Sequence, residues 1–216
     1  MPLNPLTRRA QRKVVEAGQQ AFQEGGWGTH LTFPTHRRDG QKLYFQMRLL
    51  NGLEMIDVSE LAEAATGAPA FVGHFATAME QARDQAGVIV VGGVRAISDP
   101  KHDVLFTLTV ALTELDGPFN VEDFLPEDSP STLHSKQDYD QISEHIYRIH
   151  RLSVESPGEG REPLPTLMLE FLFLNRYGVL AGAFTTQRED MMRDKVRDLF
   201  FNISQSFFIG EKPAAV

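Results

Sequence analysis

"TLMLEFLFLNRYGVLAGAFTT", Thr166–Thr186, contains two apolar runs around the polar tetrapeptide "NRYG". Each run has strand length, and the Asn and Gly between them suit a tight turn, so the stretch reads as a β-hairpin. The residues that follow change period. Thr186 with Glu189 three residues on forms a capping box, and Met192, Val196, Leu199, Ile203 and Phe207 recur at intervals of four, three, four and four. The pattern predicts a helix from Gln187 to about Phe208 that closes over the sheet to which the hairpin belongs.

Working outward, "THLTFP" and "QKLYFQMRLL" read as strands joined by the turn "THRRDG". In the second, Leu43, Phe45, Met47 and Leu49 would face one side, with Tyr44, Gln46 and Arg48 opposite. "GVIVVGGV" and "DVLFTLTVALTEL" are further strand candidates. Helical patterns run from Thr7 to about Glu24, through "SELAEAA", and through "APAFVGHFATAMEQARDQA" with Phe71, Phe75, Met79 and Ala82 on one face. "DYDQISEHIYRIH" also reads as a short helix, with Tyr139, Ile142, Ile146 and Ile149 as its stripe. "DGPFNVEDFLPEDSPSTLHS", with three prolines and with six of the chain's acids lying between Glu114 and Asp128, reads as a long exposed connection. The expected organisation is a single domain, 1–216, with a helical extension over 1–26.

Composition limits the function classes. A chain of 216 residues, 42% of them hydrophobic, hides roughly 70% of its unfolded surface and needs no covalent staples. Cysteine is absent, which excludes disulfides and thiolate chemistry and suits a reducing compartment. No apolar stretch approaches the roughly 20 residues of a membrane span, and the charged amino terminus does not resemble a secretory signal. A cytoplasmic protein without membrane insertion is expected. Met1–Arg48 carries eight Lys/Arg against three Asp/Glu, and the rest of the chain 13 against 26, giving +5 and −13. So acidic a body does not suit a nucleic-acid binder.

Catalytic and metal motifs are incomplete. No histidine pair is spaced i, i+4, and His145 and His150 would diverge on a helix. From Asp138 the chain begins like a calcium loop, but Ser143 replaces the turn glycine and Ile149 the bidentate glutamate. No serine lies in G-x-S-x-G, and "VIVVGGV" does not complete a dinucleotide fingerprint. Neither cofactor nor metal is implied and no catalytic residue is assigned. The alternative is a hydrolase assembled from dispersed Ser, His and Asp.

Two features point to a protein partner. Arg8, Arg9, Arg12 and Lys13 crowd the start of the first helix, where the helix dipole disfavours cations. An acidic surface opposite them would offset that, whether on a partner, on a second copy of the chain or on its own loop from Glu114 to Asp128. Trp27, flanked by glycines, is of the residue type enriched at interface hot spots, although a lone tryptophan also suits a core.

The carboxy-terminal 45 residues resemble the end of the PsbP-like superfamily: Tyr177 near the start of the last long strand, Thr185 and Thr186 at its end, and Ile203, Ser206 and Phe207 closing the helix. The resemblance implies an α+β fold, an antiparallel β-sheet flanked by helices in an α/β/α sandwich. It also implies a binding or accessory role without a shared catalytic residue. The functional expectation is a non-catalytic, cytoplasmic protein-binding module, an adaptor or chaperone for a secreted or assembled partner, able to form a homo-oligomer.

Overall fold

The computed structural model of the chain describes residues 26–57, 87–98, 104–156, 162–188, 191–192 and 194–213. Three strands, β1 (Trp27–His36), β2 (Lys42–Leu50) and β10 (Phe208–Gly210), form a small antiparallel sheet in the order β1-β2-β10. Seven more, β3 (Leu53–Asp57), β4 (Val88–Ala96), β5 (Val104–Thr113), β6 (Thr132–Ser143), β7 (Ile146–Glu155), β8 (Leu164–Asn175) and β9 (Gly178–Thr186), form a large one in the order β3-β4-β5-β9-β8-β7-β6. Helix α1 spans Asp194–Gln205, and a 3-10 turn spans Val121–Phe124.

This corrects the expected fold class. The described residues are mostly β, in two antiparallel sheets with one α-helix, and not a helix-flanked α/β/α sandwich. The small sheet and α1 pack against one face of the large sheet. The segment 138–150, expected to be helical, is instead two strands around the turn Glu144–His145, with Ser143 paired to Ile146. Its 3-4-3 apolar spacing is overridden by ten consecutive pairs between β7 and β8. The other helical patterns, 7–24 and those upstream of β4, lie outside the described residues.

The hairpin that opened the sequence reading is the centre of the large sheet. β8 and β9 pair from Leu167–Thr186 to Asn175–Gly178. Asn175 Oδ1 accepts a hydrogen bond from Tyr177 N at 2.8 Å, and Gly178 adopts φ +132°, where a Cβ would collide with the Thr113 carbonyl oxygen. Phe184 and Leu180 share a face with Leu108 and Leu112 on β5 and with Leu169 and Phe173 on β8. The expected alternation in β2 holds: Leu43, Phe45, Met47 and Leu49 are buried.

These two apolar faces and α1 enclose the main core. The Phe184 ring lies 4.9 Å from Phe200 of α1 and 6.2 Å from Phe207, which sits 5.2 Å edge-on to Phe45 of the small sheet. α1 begins at Asp194, later than the capping box suggests. Thr186 Oγ1 lies 2.8 Å from the Leu105 carbonyl oxygen as a donor and accepts from Arg188 N, so it closes the β9 end rather than the helix.

The opposite face of the large sheet is covered by the connection after β5. Val121, with Phe119, Phe124 and Leu125, packs on Ile149, Leu172, Val179 and Ala181. Arg151 fastens its far end, donating to the carbonyl oxygens of Pro126 (2.7 Å) and Glu127 (3.0 Å) and to Asp128 Oδ1 (2.7 Å). The expected exposed connection is therefore anchored at several points.

Candidate functional site

The outward face of the small sheet is built by strand alternation. Leu31 and Phe33 of β1, opposite Met47 and Phe45, point to the core. The intervening residues form outward rows: His30 opposite Arg48, Thr32 opposite Gln46 and then Phe208, Pro34 opposite Tyr44, and His36 opposite Lys42. Trp27 lies opposite Leu50, two residues along β2 from Arg48.

Trp27 is 41% exposed and Phe208 43%. These are large apolar areas to leave in water; Phe208 shares its face with Arg48, and Trp27 lies past a register shift from His30, opposite the buried Leu50. Lys42 Nζ sits 5.1 Å over the Tyr44 ring. Gln46 is buried and donates to Thr32 Oγ1 at 3.1 Å. Ser206, at the end of α1, accepts from Arg48 N at 2.9 Å, with its hydroxyl 3.2 Å from Arg48 O, and so holds the Arg48 backbone at the point where β10 stops pairing. In a chain of net charge −8, these three strands contain Lys42 and Arg48 and no Asp or Glu.

Of the residues expected to meet a partner, Trp27 stands exposed on this sheet. Arg8, Arg9, Arg12 and Lys13 lie outside the described residues. The acidic loop suggested as their internal counterpart has arginine partners of its own. Arg38 N donates to Glu114 at 2.6 Å, Arg37 Nη2 lies 3.0 Å from the same carboxylate, and Arg38 pairs with Asp116. These contacts, led by the Arg38 backbone hydrogen bond, hold the Glu114 carboxyl below its ordinary range.

Several described residues of the kinds a hydrolase would use have local partners. Ser129 and Ser131 direct their hydroxyls to each other and to Glu155, and Ser204 donates to the Phe201 carbonyl oxygen. His150 Nδ1 lies 3.4 Å from Asp138 on an exposed strand. Among the described residues no group of three His, Cys, Asp or Glu could hold a metal ion. A cavity of about 350 Å³ opens between β1 and the β3–β4 pair, lined among the described residues by Leu31, Phe33, Met55, Ile89, Val91 and Asp57.

Sequence reading missed two residues. Phe208 was placed at the end of a helix and is instead the first residue of β10. Glu170, half-buried in the middle of β8 between Ile149 and Ala183, has its pKa pushed up to about 7 by burial. A charged residue within "TLMLEFLFL" was the available signal for it.

No family model matches the chain and no curated protein matches it, so the likeness of its last residues to the PsbP-like superfamily stays a resemblance. Among solved structures, the chain is similar to the Saccharomyces cerevisiae Ran-binding protein Mog1p, with TM-score 0.43 and 10% identity over 83% of this chain and 96% of that one. No described helix is long and apolar enough to cross a membrane.

Proposed function

We propose that the protein is a non-catalytic, cytoplasmic protein-binding module of the adaptor or chaperone type, and that it receives an acidic protein surface on the outward face of its small sheet. The observation that carries this reading is that the small sheet exposes Trp27 and Phe208 and carries Lys42 and Arg48 on strands free of acidic residues, in an acidic chain. Exposed aromatic residues supply rigid contact area, while the cations steer an anionic partner and fix its orientation. In this proposal Arg8, Arg9, Arg12 and Lys13 also meet the acidic partner.

Photo-cross-linking from position 30, opposite Arg48 on the same sheet, in native extract tests it. An acidic protein should be captured, and its affinity should fall about thirtyfold with Trp27→Ala, the loss of one aromatic hot spot. Arg48→Glu should slow association, with an effect that fades as salt rises. Capture that survives both substitutions together would overturn the assignment of this face.

A further inference from the structure

β6 ends the large sheet: β7 takes one of its edges, and no described strand takes the other. Every residue from Leu133 to Ser143 is exposed. A long strand with an open edge presents backbone N–H and C=O groups ready to pair with another strand. Its ladder to β7 is regular from His134 to Gln141 and slips at Thr132/His134 and at Gln141/Ser143. Irregularities therefore bracket a straight segment in which His134, Lys136, Asp138 and Asp140 share one face. Along that face the basic groups come first and the acidic groups last.

We propose that β6 pairs antiparallel with β6 of a second copy of this chain, about a two-fold axis through Gln137, so that the two large sheets become one. In such a ladder, opposed residues share both face and hydrogen-bonding class, so the axis must pass through a residue and not between two. Among registers that keep most of the segment paired, an axis through Lys136 opposes two lysines and one through Asp138 opposes two aspartates. An axis through Tyr139 sets Asp138 against the second copy's Asp140. The axis through Gln137 sets Lys136 against Asp138 and His134 against Asp140, each twice, with no like pair.

Charges on an edge strand commonly keep other strands away. A single-signed set would do that here, whereas this basic-then-acidic order attracts its own reverse. From the β7 side, Arg148 Nη2 at 2.9 Å from Asp140 and His150 at 3.4 Å from Asp138 already hold the two carboxylates in place. The surface is separate from the Trp27 face, and the inference does not depend on that reading.

Light scattering of the full chain across a concentration series tests it. The wild type should reach twice its monomer mass. Lys136→Glu and Asp138→Lys should each weaken the dimer by about tenfold or more, since each places two like-charged pairs across the axis. An equimolar mixture of the two variants should dimerise again, because each variant's new charge then meets the other's. The chain has no cysteine, so Gln137→Cys should oxidise to a covalent dimer, as residues facing each other across a ladder lie about 4.5–5.5 Å apart at Cα. A monomeric wild type at high concentration would overturn the proposal. So would a dimer that both single reversals leave intact, or a mixture that fails to restore it.

Discussion

The hairpins β8–β9 and β6–β7 are neighbours in one sheet, yet they are stabilised in different ways. β8–β9 has partner strands on both sides and covering layers on both faces: Phe171, Leu180 and Phe184 lie under α1 and the small sheet, and Leu172 and Val179 under the connection after β5. β6 is exposed along almost its whole length, and β7 is buried mainly at Ile149, Arg151 and Ser153. The inner hairpin is held by burial, and the outer one by its ladder to β8, by cross-strand ion pairs and by Arg151. Position in the sheet, more than residue type, sets what each side chain contributes.

The largest expected effect lies beneath the inner hairpin. Ile203 is fully buried in α1, and Ile203→Asp would place an unpaired carboxylate there, costing several kcal/mol and most of the cooperative unfolding signal in thermal melts. Phe184→Ala, which removes a ring in contact with Phe106, Phe171, Phe200 and Phe207, should cost about 3–5 kcal/mol in urea titration. A loss below about 1 kcal/mol would show that the inner hairpin does not depend on burial.

At the junction of the two hairpins, Glu170 gives a pH signature. Its folded pKa of about 7 lies above the ordinary 4.5, so between those values the native state keeps a proton that the unfolded chain has released. Stability should therefore fall as pH rises from 4.5 to 7, by up to about 3 kcal/mol, and level off above that. Glu170→Gln should abolish this slope and be the more stable protein at pH 8. An unchanged slope would place the carboxyl in water.

Arg151 connects the outer hairpin to the loop that covers the inner one. Arg151→Ala leaves two carbonyl groups and Asp128 without their donor, and should cost about 2 kcal/mol, with faster amide exchange over residues 121–128. The smallest effect is expected at Tyr139→Ala, on exposed β6: within about 0.5 kcal/mol in dilute protein. A cost as large as that at Phe184 would erase the distinction between the hairpins.

The same distinction explains what could be read in advance. Thr166–Thr186 was legible because its apolar runs have strand length and Asn175 and Gly178 mark the turn. β2 was legible because one of its faces is buried. β6 was not, because periodicity reports which side of an element is buried and a strand exposed on both sides has none to report. Tyr139, Ile142, Ile146 and Ile149 happened to fall at helical spacing, and the turn Glu144–His145 carries no Gly, Asn or Pro to contradict it. At the candidate site Trp27 could be named from its residue type, whereas Phe208 was hidden by the helical stripe that precedes it.

By itself the sequence determined the inner hairpin, the strands β1, β2, β4 and β5, the apolar stripe of α1 and the uneven charge, all of which are properties of neighbouring residues. Only the tertiary structure decided that two sheets face each other, that 138–150 is extended, and that Phe208 and Arg48 share an outward face of the small sheet. These outcomes depend on pairings such as Phe208 with Gln46 and Ile149 with Glu170, between residues far apart in the chain. Backbone hydrogen bonding and burial across such distances outweigh local propensities worth a few tenths of a kcal/mol each.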